Sequence, residues 1–360
     1  MGIPFEKLRP PRWGGEVPGA VKRDPLVLGP NCVVDPPVIL SPMAAVTNAP
    51  YRRLCQSMGA GLTVTEMVSD TGLIQGQSRT LSMIDLHPDE GPVGVQIFGR
   101  EPQTMARAAR VAQEMGADVV DVNMGCPMRK VVSRGQGAAL LREPRQVRDI
   151  FEAMSEAVDI PVTGKTRAGW EGTDAIDVAR AMQEGGAAAL TIHGRTRSDH
   201  YDGHADLRVI QELVDAVDMP VIGNGDVCDW VSARRMFHIT GCAAVMVARG
   251  ALGNPWVFRE IGADLRGEVP PPRPTPEARG QTIRRHVDAY VDTCGEERTC
   301  REIRKHLLWY FRDTPGERVL RRRLSSMKSL ADVHTGIDAA IEANREIPDV
   351  AAKNHPRTQV

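Results

Sequence analysis

Short apolar runs recur along the chain, each followed by small or polar residues. They are PPVILSPMA (36–44), LTVTEM (62–67), VGVQIFG (93–99), VVDVN (119–123), PVTGKT (161–166), ALTIHG (189–194), PVIGNG (220–225) and AAVMVARG (243–250). The runs are rich in Val and Ile and mostly unbroken, which predicts parallel strands buried on both faces. Between them, stretches such as EPQTMARAARVAQEMGA and EPRQVRDIFEAMSEAVDI carry helical periodicity and good helix formers, and several end on Gly before the next strand. Eight strands alternating with helices predict an α/β fold, a closed (β/α)8 TIM barrel over residues 37–255. An open doubly wound sheet explains the eight strands less economically, and no G-x-G-x-x-G follows the first of them. The nearest match, Gly135-Gln136-Gly137-Ala138-Ala139-Leu140, lacks the third glycine and follows no strand directly.

The flanks read differently. Residues 1–36 form an N-terminal segment, Pro- and Gly-rich at first, in which DPLVLGPNCVVD (24–35) predicts a hairpin that plugs the barrel floor. After residue 255 the pattern becomes helical, so residues 256–350 are expected to form a C-terminal helical bundle domain, with 351–360 as a tail. Within it, Thr275 predicts an N-cap with Pro276 at the first helical position. Ile283, Val287, Tyr290 and Val291 mark one apolar face, and Ile303, Leu307, Tyr310 and Phe311 mark a second.

Composition narrows the class. With 42% hydrophobic and 25% charged residues the 360-residue chain is of globular type, and its net charge of −1 carries no overall polyanion-binding signature. No apolar run approaches a membrane span of about 20 residues, and the first residues show no secretory signal. Seven scattered cysteines without C-x-x-C spacing argue against a disulfide framework and a structural zinc site, and a cytoplasmic location is expected. The charge is uneven, however: residues 273–330 hold 14 Lys/Arg against 8 Asp/Glu. Arg301, Lys305 and Arg312 are placed opposite the apolar face of their helix, either as an ordinary solvated face or as contacts for nucleic-acid phosphates.

In a barrel the active site forms at the strand C-termini. Those positions hold Ser41-Pro42-Met43-Ala44, Glu66, Gln96, Asn123 and Cys126, Lys165 and Arg167, His193 and Arg195, Asn224 and Asp226, and Arg249. So many polar rim residues point to a pocket. Lys165 follows an apolar run and needs an anionic partner, either a ligand or an internal carboxylate such as Glu66. Asn224-Gly225-Asp226 and Ala248-Arg249-Gly250 end the last two strands, where this fold places its phosphate site. Cys126 stands apart from the other cysteines. It lies between Gly and Pro past a strand end, with Arg129, Lys130 and Arg134 close in sequence, an exposed and electropositive setting that favours a reactive thiol.

SPMAAVTNAPYRRLC, TEMVS, VQIFG, DVNMGCPMRKVVSRGQGAALL, GKTRAGW, TIHGRTRSDHYDGHADL, VIGNGDV and MVARGALGNPWVF together resemble the tRNA-dihydrouridine synthases, and among bacterial forms the B-type subgroup. The resemblance implies FMN on the top face. Pro42, Met43 and Ala44 would line the flavin, Gln96 and Lys165 would bind its ring edge, and His193 would lie beside it. Asn224, Gly225, Asp226, Ala248, Arg249 and Gly250 would hold ribityl and phosphate. It further implies reduction of a uridine C5=C6 bond in the D-loop of tRNA, with NADPH as reductant. Cys126 would be the general acid toward C5, Asn123 would orient the base, and Arg195, Arg197, Arg301, Lys305 and Arg312 would meet RNA. The chain departs from the family at Ala45, where a glycine is usual. Two other functions compete: a flavin barrel acting on a free pyrimidine, like a dihydroorotate dehydrogenase, and a non-catalytic tRNA chaperone.

Overall fold

The computed structural model describes residues 10–11, 13–172 and 175–345; the first residues of the N-terminal segment and the tail at 351–360 lie outside them. The chain divides into two compact units. The first runs from the N-terminal segment through Ala251 and includes Pro255–Pro271, and the second holds Leu252–Asn254 and everything from Pro272 onward.

The first unit opens on a hairpin, β1 (Leu26–Gly29) and β2 (Cys32–Val34), paired antiparallel. Then follow β3 (Val38–Leu40), β4 (Leu62–Val64), a two-residue β5 (Val68–Ser69), β6 (Val93–Phe98), β7 (Val119–Asn123), β8 (Val162–Arg167), β9 (Ala189–His193), β10 (Val221–Asn224) and β11 (Ala244–Val247). All of these from β3 on pair in parallel in the order β4-β3-β11-β10-β9-β8-β7-β6-β5, and an added β4–β6 pairing closes the ring. The architecture is therefore a (β/α)8 TIM barrel, with the eight apolar runs as its staves. β5 is a short addition that continues the barrel edge beside β6.

Local chemistry sets the helix boundaries. Asn48 caps Ala49–Ser57 by accepting from the Tyr51 N–H, with Pro50 in the first turn. Asp229 caps Trp230–Thr240 in a reciprocal capping box with Ser232. The helix Val257–Leu265 packs with the barrel: the Pro36 ring lies against Gly262. This moves the end of the barrel unit from residue 255 to Pro271, because the apolar face of that helix is buried on the first unit.

The barrel floor is apolar. Leu26, Leu28, Cys32 and Val34 of the hairpin cluster with Ile39, Leu62, Val64, Val119, Ala189, Ile222, Ala244 and Met246. Because strand side chains alternate faces, these residues fix the inward register. The next inward positions up the staves are Gln96, Asp121, Thr163 and Thr191, and above those Asn123, Lys165, His193 and Asn224. The interior thus turns from apolar to polar along its axis.

Past β3 the chain turns through Ala45, which sits at φ 60°. Its N–H donates to the Glu66 carboxylate. A Cβ in this left-handed region costs about 1–2 kcal/mol, and a glycine would avoid it. Ala45→Gly is expected to raise the melting temperature by about 1–3 °C, net of the flexibility gained by the unfolded chain; differential scanning calorimetry checks it.

The second unit is helical. A long helix, Pro276–Tyr310, is broken at Gly295, whose φ of 74° and ψ of 169° split it in two; Pro315–Arg323 and Leu330–Arg345 complete the unit. Thr275 accepts from the Ala278 N–H as the N-cap, with Pro276 at the first position. Ile283, Val287, Tyr290, Ile303, Leu307, Tyr310 and Phe311 are buried. Between the two halves of the kinked helix, His286 and His306 lie edge to face at 4.8 Å, Tyr310 Oη meets His286 Nδ1 at 3.1 Å, and Tyr290 Oη meets His306 Nε2 at 3.3 Å. Burial drives His286 down to about 3 and His306 well below the usual imidazole value. The unfolded chain therefore binds more protons once pH falls through about 6.5, and the contribution of each neutral imidazole is lost at about 1.4 kcal/mol per pH unit below that point. Both ring signals are expected to hold their neutral-form NMR shifts to pH 5 while the melting temperature falls with acidification.

Among the described residues no helix is long and apolar enough to cross a membrane. All seven cysteines are unpaired thiols.

Candidate active site at the strand C-termini

Parallel register brings the polar residues together. Gln96 on β6 lies beside Asp121 on β7, Asn123 beside Lys165 on β8, Arg167 beside His193 on β9, and His193 beside Asn224 on β10. Most of them are buried, and their hydrogen bonds run around the rim.

On one side, Thr163 Oγ1 donates to Asp121 Oδ1 at 2.8 Å and Gln96 Nε2 donates to Asp121 Oδ2 at 2.7 Å. Asn123 Nδ2 donates to Gln96 Oε1 at 2.8 Å. Asn123 Oδ1 then accepts from the backbone N–H groups of Gly125 at 3.3 Å and Cys126 at 3.0 Å. Arg167 Nε donates to the Gly125 carbonyl at 2.8 Å, so the turn carrying Cys126 is held from both sides. Across the barrel, Lys165 Nζ donates to Asn224 Oδ1 at 2.9 Å, and Asn224 Nδ2 donates to the Met246 carbonyl. Glu66 instead receives the Ala45 N–H; the carboxylate whose charge acts on Lys165 is Asp121. Enclosure of its ammonium group, with Arg167 nearby, lowers Lys165 to about 8.

Cys126 is half-buried rather than exposed. Burial pushes its thiol above the ordinary cysteine value, while the Met128 N–H and the Arg167 guanidinium pull the other way. Of the cations the sequence placed nearby, Arg129 and Lys130 are exposed, and the guanidinium acting on the thiol is Arg167, supplied by β8. The sequence-based picture of an electropositive, exposed thiol is corrected accordingly: this is a sheltered thiol that stays protonated.

At the ends of β10 and β11, Asp226 is an ion-pair hub. Its Oδ1 accepts from Arg249 at 3.1 Å, and its Oδ2 accepts from Arg195 at 2.8 Å and from the Ala205 N–H at 2.8 Å. Asp226 thus anchors two arginines at the ends of β10 and β11. Arg195 is 1% exposed, meets His193 Nε2 at 3.2 Å and donates to the Asp202 and Gly203 carbonyls. It is an internal strut and not an RNA-facing rim residue. Arg197 is half-buried, its guanidinium 4.5 Å over the Trp170 ring. His193 is buried, and burial with the surrounding Arg167, Lys165, Arg195 and Arg249 keeps it neutral. Gly225 has φ 132°, and a Cβ on Gly250 would meet the Val227 carbonyl, so both loops need glycine for their own packing. Pro42 and Met43 are half-buried and Ala44 exposed, in the turn after β3; Ala248 is half-buried.

In the helical unit, Arg301 is exposed and within 3.8 Å of Glu297, whereas Lys305 and Arg312 are half-buried. Arg318, Arg321, Arg322 and Arg323 are exposed instead. The sequence reading also passed over Tyr201, whose ring lies under the guanidinium groups of Arg167 at 5.6 Å and Arg249 at 5.0 Å. It passed over Asp121 and Thr163 too. Period-two alternation through V-V-D-V-N and V-T-G-K-T-R, counted from the floor residues, would have turned both inward.

Three arginines and a lysine enclosed against two carboxylates leave a surplus of positive charge that fits a phosphate-bearing group. The fold and rim define a TIM-barrel enzyme with its chemistry at the strand C-termini. A model of the family described as dihydrouridine synthase matches residues 39–347, and the chain belongs to that family. It is 41% identical over 295 residues to tRNA-dihydrouridine synthase B of Pseudomonas aeruginosa, covering 81% of this chain and 88% of that one. With the protein of the same name from Escherichia coli K12 it shares 39% over 310 residues, 85% and 96% of the two chains. Among solved structures, histamine dehydrogenase from Rhizobium sp. 4-9 superposes with a TM-score of 0.56 at 12% identity over 89% of this chain and 64% of that one, a likeness of fold.

The anchoring role of Asp226 has a measurable consequence. Asp226→Asn is expected to cost about 3 kcal/mol or more of stability, because two buried guanidinium groups lose their counter-charge; the urea midpoint of the purified variant checks it.

Proposed function

We propose that this chain reduces uridine to 5,6-dihydrouridine in the D-loop of tRNA, using FMN bound at the upper rim and NADPH as reductant. The observation that carries the reading is the pairing of a sheltered, protonated Cys126 with an enclosed cationic rim on one face of the barrel. Membership of the dihydrouridine synthase family supports it, as does the printed name of the relatives.

The residues fit the group. Arg249, held by Asp226, and the 224–226 and 248–250 loops would hold ribityl and phosphate. Lys165 and Gln96 would bind the ring edge, neutral His193 would lie beside it, and the 42–44 turn would line it. FMN, when bound and reduced by NADPH, would supply the hydride that uridine C6 accepts. Cys126 delivers a proton from Sγ to C5, and its raised pKa keeps that proton in place at neutral pH. Asn123 orients the base. A uridine must leave its stack to enter, at a cost of a few kcal/mol. Exposed cations of the helical unit, Arg301 and the 318–323 arginines among them, would meet phosphates, which predicts salt-dependent binding.

The free-pyrimidine alternative leaves the basic helical unit without a task, and the chaperone alternative leaves the enclosed cations without one. The test uses purified protein and tRNA from a strain lacking the gene. The wild type should be yellow and restore dihydrouridine at the D-loop. Cys126→Ala should keep its colour and lose at least about 100-fold in turnover. A protein that neither carries nor accepts FMN, or undiminished turnover in Cys126→Ala, overturns the corresponding part.

A further inference from the structure

Asp121 is a buried carboxylate to which the proposed mechanism gives no task. It lies between Gln96 and Thr163 in the register of three adjacent strands and accepts from both. From it a single file of hydrogen bonds runs through Gln96 and Asn123 to the N–H of Cys126. We propose that Asp121 is a positioning residue that sets the direction of this relay, and through it the orientation of Gln96, Asn123 and the Cys126 turn. The proposal rests on the reading of Cys126 as the acid.

The ends of the file force its direction. Burial raises the Asp121 pKa, while the Gln96 and Thr163 hydrogen bonds and the Lys165 charge favour its ionised form; as a carboxylate it only accepts, and a main-chain N–H only donates. Gln96 must therefore turn its NH2 toward Asp121 and its oxygen toward Asn123. Asn123 must turn its NH2 toward Gln96 and its oxygen toward the Cys126 turn. Neither amide is free to flip while both ends hold. Each retains one N–H outside the file, a donor of the kind that suits the carbonyl edges of a pyrimidine or of a flavin ring. Isolated amides in the same positions would choose either orientation, because their two ends are nearly equal in shape.

A swap of groups tests direction separately from packing. In Asn123→Asp the new carboxylate still accepts from Cys126 but offers Gln96 no donor, and turning Gln96 round only transfers the clash of acceptors to Asp121. Adding Asp121→Asn resolves it with the file reversed. The amide at 121 then donates to the Gln96 oxygen, Gln96 donates to the carboxylate at 123, and Thr163 donates to the amide oxygen at 121. The pair of substitutions keeps one carboxylate in the file and nearly the same volume.

The measurements are the melting temperature and the rate of iodoacetamide labelling at Cys126, followed on its peptide by mass spectrometry. Asn123→Asp should melt at least about 5 °C lower than wild type, as an unmet buried polar contact requires, and label at least about fivefold faster. The pair Asp121→Asn/Asn123→Asp should recover more than half of each change. Asp121→Asn alone, whose amide can present either end to Gln96, should stay within about 2 °C, since the Thr163 hydroxyl can turn to accept, yet label at least about twofold faster than wild type; unchanged labelling there overturns the proposal. An Asn123→Asp variant that matches wild type, or a pair that recovers less than half, overturns the proposal. Should Asn123→Asp be insoluble, soluble protein from the pair is the supporting result, and its loss in both is the overturning one. Neither readout uses turnover, so a failure of the Cys126 assignment leaves this test standing.

Discussion

Three arginines and a lysine are withdrawn from water at the upper end of the barrel, and a cation enclosed by protein is tolerated only where something else takes over the work of water. The four have found three substitutes. Arg195 and Arg249 share Asp226, Arg167 is spread over the carbonyls of Gly125, Thr196 and His200, and Lys165 rests on the Asn224 amide oxygen with Asp121 below. Two carboxylates do not balance four cations. Burial first, and this remainder with it, holds His193 neutral and Lys165 near 8, and an anionic ligand would neutralise the remainder. Arg167 couples this charge to the thiol, because the same side chain that helps depress Lys165 also fixes the carbonyl next to Cys126.

The barrel makes such a concentration affordable by dividing its interior along the axis. Below, the hairpin and the inward residues of the staves form a dry floor. Above, the same inward positions become polar two residues further on. Period-two geometry lets one short strand do both: Val119 serves the floor, Asp121 the relay and Asn123 the rim. Apolar packing is thus concentrated at one end of the barrel and charged and polar groups at the other.

Most of this architecture could be read from the chain, because buried parallel strands and the helices between them leave strong local signals. The eight apolar runs became the eight staves, and the Thr275-Pro276 start of the helical unit carried cap chemistry of its own. What could not be read was which groups face each other across distant segments. Arg195 resembles a rim cation in sequence, yet its partners are Asp226 on another loop and carbonyls eight residues on. Lys165 adjoined no acid in sequence and met an amide 59 positions away. The Val257–Leu265 helix followed the last stave and read as the start of a new domain, because nothing local reveals that its apolar face closes on Pro36.

The thiol illustrates why proximity in sequence misleads about reactivity. Arg129 and Lys130 beside Cys126 would suggest a lowered pKa and a nucleophile. In the folded chain burial dominates, and the thiol rises instead. A nucleophile needs the thiolate, whereas a proton donor needs the proton still present when substrate arrives. Shelter therefore suits the second task and opposes the first, and in the proposed donor role the Arg167 guanidinium would ease the charge that develops on sulfur as the proton leaves. The environment that lowers the intrinsic reactivity of Cys126 is the one that an acid toward a carbon centre requires.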